Sequence, residues 1–539
     1  MENFKSKQTW IILSIIVIGI VWKVILLQLD SFPFNSDEAI IGLMARHILG
    51  GERPIFFYGQ AYMGSLDAYL VALGFHIFGS KVWVIRLIQI ILYSGILLTS
   101  YIITKRLFKS ALAGIISIIL LSIPTVNLTL YSTVSLGGYN EALLIGNLII
   151  LLSLILAERF KDVKGSIPGI LLHTLLLGFL IGLGLWANGL TLVYSIPSVI
   201  FLIRHFTSSQ QNRLALVYTL IFISGVLIGA SPWLFYALTE SPAALVAELS
   251  GSAVAVEPVS IINRIFSHAV NFILLGIPVI LGIRPPWSVT WLAIPLIPFV
   301  LIFWSAPVVY CIRQLHHHDE KMDGIFIVYG VFITLLLGFL FSSFGVDPSG
   351  RYFTPIQIIL TILAGGMMAE LKFAMKWKTL VIIGVIIFNA WSTLQCAFKN
   401  PPGISTQFDQ TTIIDHSYDS QLVDFLKENG EFRGITNYWV SYPLAFISNE
   451  ELIFVPHLPY HQDLRYTSRD DRYKPYSTLV ESSEKIAIIT TNTPALDMLI
   501  RSTLTKEEIY WKEEVVGDFQ IFYALSKPVS GELFGFDQP

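Results

Sequence analysis

The chain has 539 residues, 54% of them hydrophobic and only 14% charged, with 35 basic and 38 acidic side chains and a formal net charge of −3. No basic face emerges for a nucleic acid, and a disulfide framework is excluded because the two cysteines, Cys311 and Cys396, both fall in apolar stretches. Repeated apolar stretches of about 18 residues or more, each enough to cross a ~30 Å hydrocarbon core, make this a polytopic membrane protein.

The first apolar run, residues 10–29, follows Lys5 and Lys7. It is long for the apolar part of a signal peptide and no small-residue cleavage site follows, so it reads as a retained first span that also targets the protein. Directly after it comes Phe32-Pro-Phe-Asn-Ser-Asp-Glu-Ala39. A carboxylate at a membrane surface is hydrated and ordinary, whereas one folded back against a helix bundle is costly and usually there for chemistry. Ser36-Asp37 ahead of an apolar-periodic run is also good helix-capping chemistry, so Asp37 and Glu38 carry both readings. Residues 40–81 form an amphipathic, aromatic-rich segment that would lie on the bilayer. Its Tyr58 and Tyr62 fit a headgroup belt or sugar stacking, and Asp67 fits a sugar contact or an interfacial polar position.

Topology follows from the basic residues. Lys5 and Lys7, then Lys105, Arg106 and Lys109, then Arg159, Lys161 and Lys164, fall on one side. Arg204 with Arg213, Arg313 with Lys321, and Lys372, Lys376 and Lys378 join them there. Placing all of these in the cytoplasm satisfies the positive-inside rule and puts Asp37, residues 131–140, 239–268 and 344–352 outside. Residues 270–283 are apolar but short, and a crossing there would invert every later loop. They therefore read as re-entrant or surface-lying, which leaves about eleven spans, or thirteen with one further pair. His316-His-His318, beside Asp319 and Glu320, reads as a solvated cytoplasmic cluster rather than a metal site.

Composition changes at Lys399-Asn-Pro-Pro-Gly403, which reads as a linker over 399–409. Beyond it, residues 410–539 alternate short strand-like and helical runs. Residues 421–429 and 495–504 are expected to be helices, and 434–440, 451–455 and 485–490 strands. Residues 514–517 and 519–525 form a hairpin turning at Gly517-Asp518. The expectation is a small extracytoplasmic α/β domain following a membrane domain over 1–398, whose first outward loop spans about 30–81.

Several short motifs, in this order and spacing, resemble a known family. They are Asp37-Glu-Ala39 followed by the aromatic segment, then Gly79-Ser-Lys-Val-Trp-Val-Ile-Arg-Leu87 and Tyr101-Ile-Ile-Thr-Lys-Arg-Leu-Phe108. Gly182-Leu-Gly-Leu-Trp-Ala-Asn-Gly-Leu190 and Arg351-Tyr-Phe-Thr-Pro355 follow. Over roughly residues 10–396 the chain looks like the GT-C membrane glycosyltransferases, in particular bacterial relatives of the dolichyl-phosphate-mannose protein mannosyltransferases of glycosyltransferase family 39. It departs from that pattern in two places. The family often has His-Pro-Pro-Leu where this chain has Gly59-Gln-Ala-Tyr-Met-Gly64, and commonly a lysine where Asn188 stands.

The resemblance implies a GT-C-like bundle and inverting transfer of a sugar from a polyprenyl-phosphate donor to an acceptor hydroxyl, at the outer face of a bacterial plasma membrane. It places Asp37 at the catalytic carboxylate and Glu38 beside it, where a second negative charge raises one pKa of the pair. Glu141 matches a second acidic position that would hold acceptor or sugar hydroxyls. Arg351, with Tyr352, is the candidate for the leaving phosphate, since a guanidinium matches phosphate oxygens in a planar fork; a snorkelling arginine at a helix end is the plainer reading. Arg86 is either a packing residue or a phosphate contact. No cofactor is required, and no His/Cys cluster has zinc-ligand spacing; a divalent ion on Asp37, Glu38 or Glu141 is not part of the expectation. The implied partners are the lipid-linked donor, membrane lipids and an acceptor that is protein, lipid or glycan. Two other classes stay open on sequence: a lipid or glycan transporter, which would usually show two inverted halves, and a non-catalytic glycan-lipid binder.

Overall fold

The computed structural model describes residues 2–161, 167–207, 214–251, 260–315 and 322–536. Two compact units emerge. One comprises Met1–Leu29, Tyr62–Asp67 and Arg86–Cys396; the other comprises Asp30–Ala61, Ala68–Ile85 and Ala397–Pro539. Most of the first long loop thus belongs with the C-terminal chain.

The first unit is a helix bundle. Among the described residues ten helices are long and apolar enough to cross a membrane, or eleven if the pair Ala215–Gly229 and Ser231–Thr239, bent by 68° at its break, is one span. The protein is therefore an integral membrane protein. Two details differ from the sequence reading. Residues 270–280 continue a longer helix, Ile261–Ile280, which is apolar and long enough to cross a membrane by length and composition. Its first half alternates apolar residues with Asn263, Arg264, His268 and Asn271, which hid it from a hydropathy window. The apolar run over 111–131 is split into Ala111–Ser122 and Val126–Tyr131. Pro124 falls in the gap, and its missing N–H cannot continue a helical ladder. The histidines 316–318 and the basic residues Lys164, Arg213 and Lys321 lie outside the described residues.

Without a hydrophobic drive between helices in lipid, small residues that let backbones approach decide the packing. Gly178 and Gly182 on the helix Ile167–Ala187 face Gly225 and Gly229 on Ala215–Gly229. A Cβ on Gly178 would lie 2.2 Å from the Phe222 carbonyl oxygen, and one on Gly229 would lie 2.1 Å from that of Phe179.

The second unit holds a five-stranded sheet: β1 Arg433–Ile435, β2 Ile453–Val455, β3 Ala487–Thr491, β4 Lys512–Val516 and β5 Phe519–Tyr523. The order is β2-β1-β3-β5-β4; β1 pairs parallel with both β2 and β3, and β5 pairs antiparallel with β3 and β4. The α/β expectation and the hairpin at Gly517-Asp518 are both present. The strand expected over 434–440 stops at Ile435. There the Asn437 side chain accepts from Trp439 N and starts the helix Tyr438–Ile447 in a stretch whose aromatic and β-branched residues read as strand. The helix Ser36–Leu49 of the first loop lies against this helix: the Phe34 and Phe446 rings are 5.2 Å apart, and a Cβ on Gly42 would meet the Phe446 ring at 2.5 Å.

Candidate active site

Asp37 begins in a local choice made by Asn35. The Asn35 side chain accepts from Glu38 N at 3.1 Å and is the N-cap of the helix Ser36–Leu49. Capping therefore does not occupy Asp37. Its Oδ1 instead accepts from the Tyr438 hydroxyl at 2.5 Å, while the Ser36 hydroxyl donates to the Tyr438 carbonyl. Burial, and then the charge of Asp37, push the Tyr438 hydroxyl well above its ordinary range, so it acts as donor. Asp37 is half-buried, with one oxygen held from behind, whereas Glu38 is fully buried.

Charge around Asp37 comes from a segment that sequence reasoning had not singled out. The Arg472 guanidinium lies 5.4 Å from the Tyr438 ring centre and interacts with Asp37 and Asp470. Asp470 is 8% exposed, and burial pushes its carboxyl up to about 7, with Arg472 opposing and Asp37 reinforcing. Burial alone would raise the adjacent Asp471 as well, but hydrogen bonds from His457, Lys474 and Ser477 pull it down to about 2. One guanidinium cannot neutralise two carboxylates, and the more buried acid keeps its proton.

Tyr58 belongs to the same unit and is fully engaged. Its hydroxyl donates to Glu52 at 2.8 Å and lies 3.0 Å from His47 Nδ1, and its ring stacks on Tyr473 at 4.7 Å. His47 Nε2 lies 2.9 Å from Glu450, which accepts from Tyr476 at 2.6 Å. This group ties the first loop to the C-terminal chain.

In the bundle, Asp67 and Glu141 come together. Asp67 Oδ1 accepts from Gln89 at 2.9 Å and Oδ2 from the Ser135 hydroxyl, and Gln89 in turn accepts from Asn140 at 2.9 Å. Burial raises Asp67 against the pull of Ser135. Glu141 is 2% exposed and interacts with Asp67 and Gln89. Buried Arg86 lies one turn before Gln89 on the helix Val82–Phe108. Asn188, where the resembling family commonly has lysine, donates to the Gly137 carbonyl at 3.1 Å and accepts from Leu190 N, fixing the turn that precedes Glu141.

Arg351 opens a short 3-10 turn, Arg351–Phe353, before the buried helix Thr354–Glu370. Its Nη2 pairs with Asp347 at 2.5 Å and its guanidinium lies 4.9 Å from the Tyr352 ring centre, with Tyr62 and Tyr139 close enough to interact. Arg351 Nε and the Tyr352 hydroxyl are buried and, among the described residues, lack hydrogen-bond partners. Two such donors side by side can receive the oxygens of an anion.

Two basic side chains that carry no assignment in the sequence reading brace this half of the bundle. Arg284 is 3% exposed and donates to the carbonyls of Leu275, Pro285 and Pro348 at 2.9, 2.9 and 2.6 Å, pinning the loop ahead of Arg351. Lys23, 1% exposed in the first span, donates to the Ser132 carbonyl and hydroxyl and to Thr133, holding the loop that delivers Ser135. An intramembrane lysine was the available signal. Among the described residues no three His, Cys, Asp or Glu side chains are grouped so as to hold a metal ion.

A family model described as dolichyl-phosphate-mannose-protein mannosyltransferase matches residues 65–236. Among solved structures, ArnT from Cupriavidus metallidurans bound to undecaprenyl phosphate is similar with a TM-score of 0.60 at 10% identity, covering 97% of this chain and 99% of that one. The fold is GT-C. The apo state of the same ArnT gives 0.59 at 12% identity over 98% and 99% of the two chains. The Archaeoglobus fulgidus oligosaccharyltransferase in complex with Zn and sulfate gives 0.52 at 12%, covering 88% of this chain and 67% of that one. No curated protein sequence matches the chain. The GT-C likeness extends through the C-terminal sheet, since almost the whole of both chains is covered in the ArnT comparison.

Proposed function

We propose that this protein is a membrane glycosyltransferase that moves a sugar from a polyprenyl-phosphate donor to an acceptor hydroxyl, with inversion, on the extracytoplasmic face of a bacterial plasma membrane. The observation that carries the reading is a half-buried carboxylate, Asp37, freed from capping and held by one oxygen just after the first span of a GT-C chain. Two likenesses support it: the similar ArnT is bound to undecaprenyl phosphate, and the matching family is named for a mannose carried on dolichyl phosphate.

In this reading Asp37 removes the acceptor hydroxyl proton as the oxygen attacks the anomeric carbon. One C–O bond forms, the bond to the bridging phosphate oxygen breaks, and the polyprenyl phosphate leaves with that electron pair. Arg351 and Tyr352 receive the phosphate, and Arg86 is a further candidate for it. Glu141 and Asp67 hold sugar or acceptor hydroxyls, Glu38 supports Asp37, and Tyr58 braces the loop that carries it. General-base assistance of this kind contributes roughly 10²–10⁴-fold.

Incubating the purified protein with a panel of polyprenyl-phosphate monosaccharides, and following release of polyprenyl phosphate by mass spectrometry, tests the activity. Release with at least one donor is expected; movement of intact glycolipid across proteoliposomes without cleavage would replace the reading with a transporter. Single-cysteine labelling at Ser420 tests sidedness: labelling from the cytoplasmic side only would overturn it.

A further inference from the structure

The parallel part of the C-terminal sheet has the order β2-β1-β3, so the chain leaves β1 toward one neighbour and returns to the other. In open α/β sheets such a switch point opens a crevice beyond the carboxyl ends of the strands, and ligands bind there. Here the carboxyl end of β1 runs through Thr436 and Asn437 into Tyr438. The Thr436 hydroxyl donates to the Ile489 carbonyl, and Asn437 donates to the Thr491 hydroxyl at 2.9 Å, locking the end of β1 to that of β3. Tyr438 itself is 3% exposed, and what it grips is the start of the first-loop helix, through Asp37 and Ser36. The edge that would elsewhere bind a ligand is occupied by the segment carrying the proposed base.

Arg472 reaches the same place from the other side. Its backbone N–H donates to the Tyr442 hydroxyl at 2.6 Å, and its side chain crosses Gly59, whose carbonyl accepts at 3.4 Å. A Cβ on Gly59 would lie 2.5 Å from Arg472 Cδ, so only glycine leaves room. The titratable and charged groups facing this cluster are Asp37, Tyr438, Tyr442, Tyr460, Arg469, Asp470 and Arg472.

We propose that the C-terminal domain is a positioning device for Asp37. Tyr438 holds one carboxylate oxygen so that the other faces the acceptor, and Arg472 supplies the compensating charge. Both are positioning residues, and the inference rests on Asp37 being the base. A hydrogen bond that fixes the direction of a base acts on the reacting geometry, so its loss lowers kcat while leaving donor affinity alone.

The test uses the full-length protein with a donor that the panel identifies. Tyr438→Phe is expected to lower kcat about tenfold with donor KM and thermal midpoint little changed, and to have no further effect on the residual rate of Asp37→Asn. Arg472→Gln, which keeps the bulk of the side chain, should lower kcat similarly, and Arg472→Lys should recover part of it. Wild-type kcat in both Tyr438→Phe and Arg472→Gln, with Asp37→Asn inactive, would overturn this inference and leave the proposed function standing. Full turnover by Asp37→Asn would instead remove the base on which both rest. A purely structural role for Tyr438 predicts a lowered midpoint with unchanged kcat per folded molecule, and that result would also overturn the inference.

Discussion

The two units treat their acidic side chains in opposite ways. In the bundle, Asp67 and Glu141 are buried together, and Asp67 accepts from a neutral amide and a hydroxyl. In the other unit, Asp37 is half-buried, bonded to a tyrosine, and shares a guanidinium with Asp470. A carboxyl among neutral partners suits holding hydroxyl groups of a ligand, since it can accept from or donate to them without a charge to compensate. A half-buried carboxylate beside a cation, with one oxygen held by a tyrosine, suits taking a proton. In the proposed function the same residue type does different work, because Asp37 is only half-buried and has a guanidinium nearby.

The largest effect should follow from removing the base. Asp37→Asn keeps the shape of the side chain and can still accept from Tyr438, so folding should survive while turnover falls by roughly 10²–10⁴-fold. Donor binding, measured separately with a polyprenyl-phosphate sugar, should be nearly unchanged. A variant that turns over at the wild-type rate would break the contrast between the units and move the base to Glu38 or Glu141.

Arg351 tests the bundle's side of the comparison. Charge grows on the bridging oxygen as the phosphate departs, so a contact strengthened there raises kcat rather than only lowering KM. Arg351→Ala should lose about 1.5–3 kcal/mol of transition-state stabilisation, the range for one charge-assisted bond. Arg351→Lys keeps the charge but loses the fork and should retain part of the rate. A snorkelling arginine predicts full replacement by lysine, and an alanine variant that loses thermal stability rather than kcat.

Much of this was legible before any fold was drawn. The apolar runs, the break at Lys399-Asn-Pro-Pro-Gly403, the α/β alternation and the carboxylate pair after the first span all follow from local pattern. What escaped has physical reasons. Arg472 and Asp470 lie in a loop more than 400 residues from Asp37, and nothing in their spacing announces that they meet it. Tyr438 lies in a stretch with strand-like composition, and the Asn437 cap that turns the chain into a helix there is a one-residue signal. Lys23 was lost inside an apolar run because hydropathy averages over it. Ser36-Asp37 resembled a cap, and only the Asn35 contact showed that the capping was done one position earlier.

The last expected effect is on stability and leaves the rate alone, and it sharpens the electrostatic half of the comparison. Asp470 is nearly buried and its carboxyl is pushed up to about 7. Below about pH 4 both the folded and unfolded chains carry it protonated, and it costs nothing. Between about 4 and 7 the unfolded chain gives up that proton while the folded one keeps it, so stability falls as pH rises through this window. Above about 7 the cost is complete, on the order of 2–4 kcal/mol, because the folded state must then hold an ionised acid beside Asp37 with one guanidinium between two carboxylates. Asp470→Asn removes the ionisation and keeps the shape. Its thermal midpoint should therefore match the wild type near pH 4 and exceed it increasingly up to pH 8. A midpoint lower than wild type at both pH 5 and pH 8, with the gap closing only below about pH 4, would mean that Asp470 is stabilised in its charged form by Arg472. The cluster around Asp37 would then carry a balanced ion pair rather than an excess of negative charge.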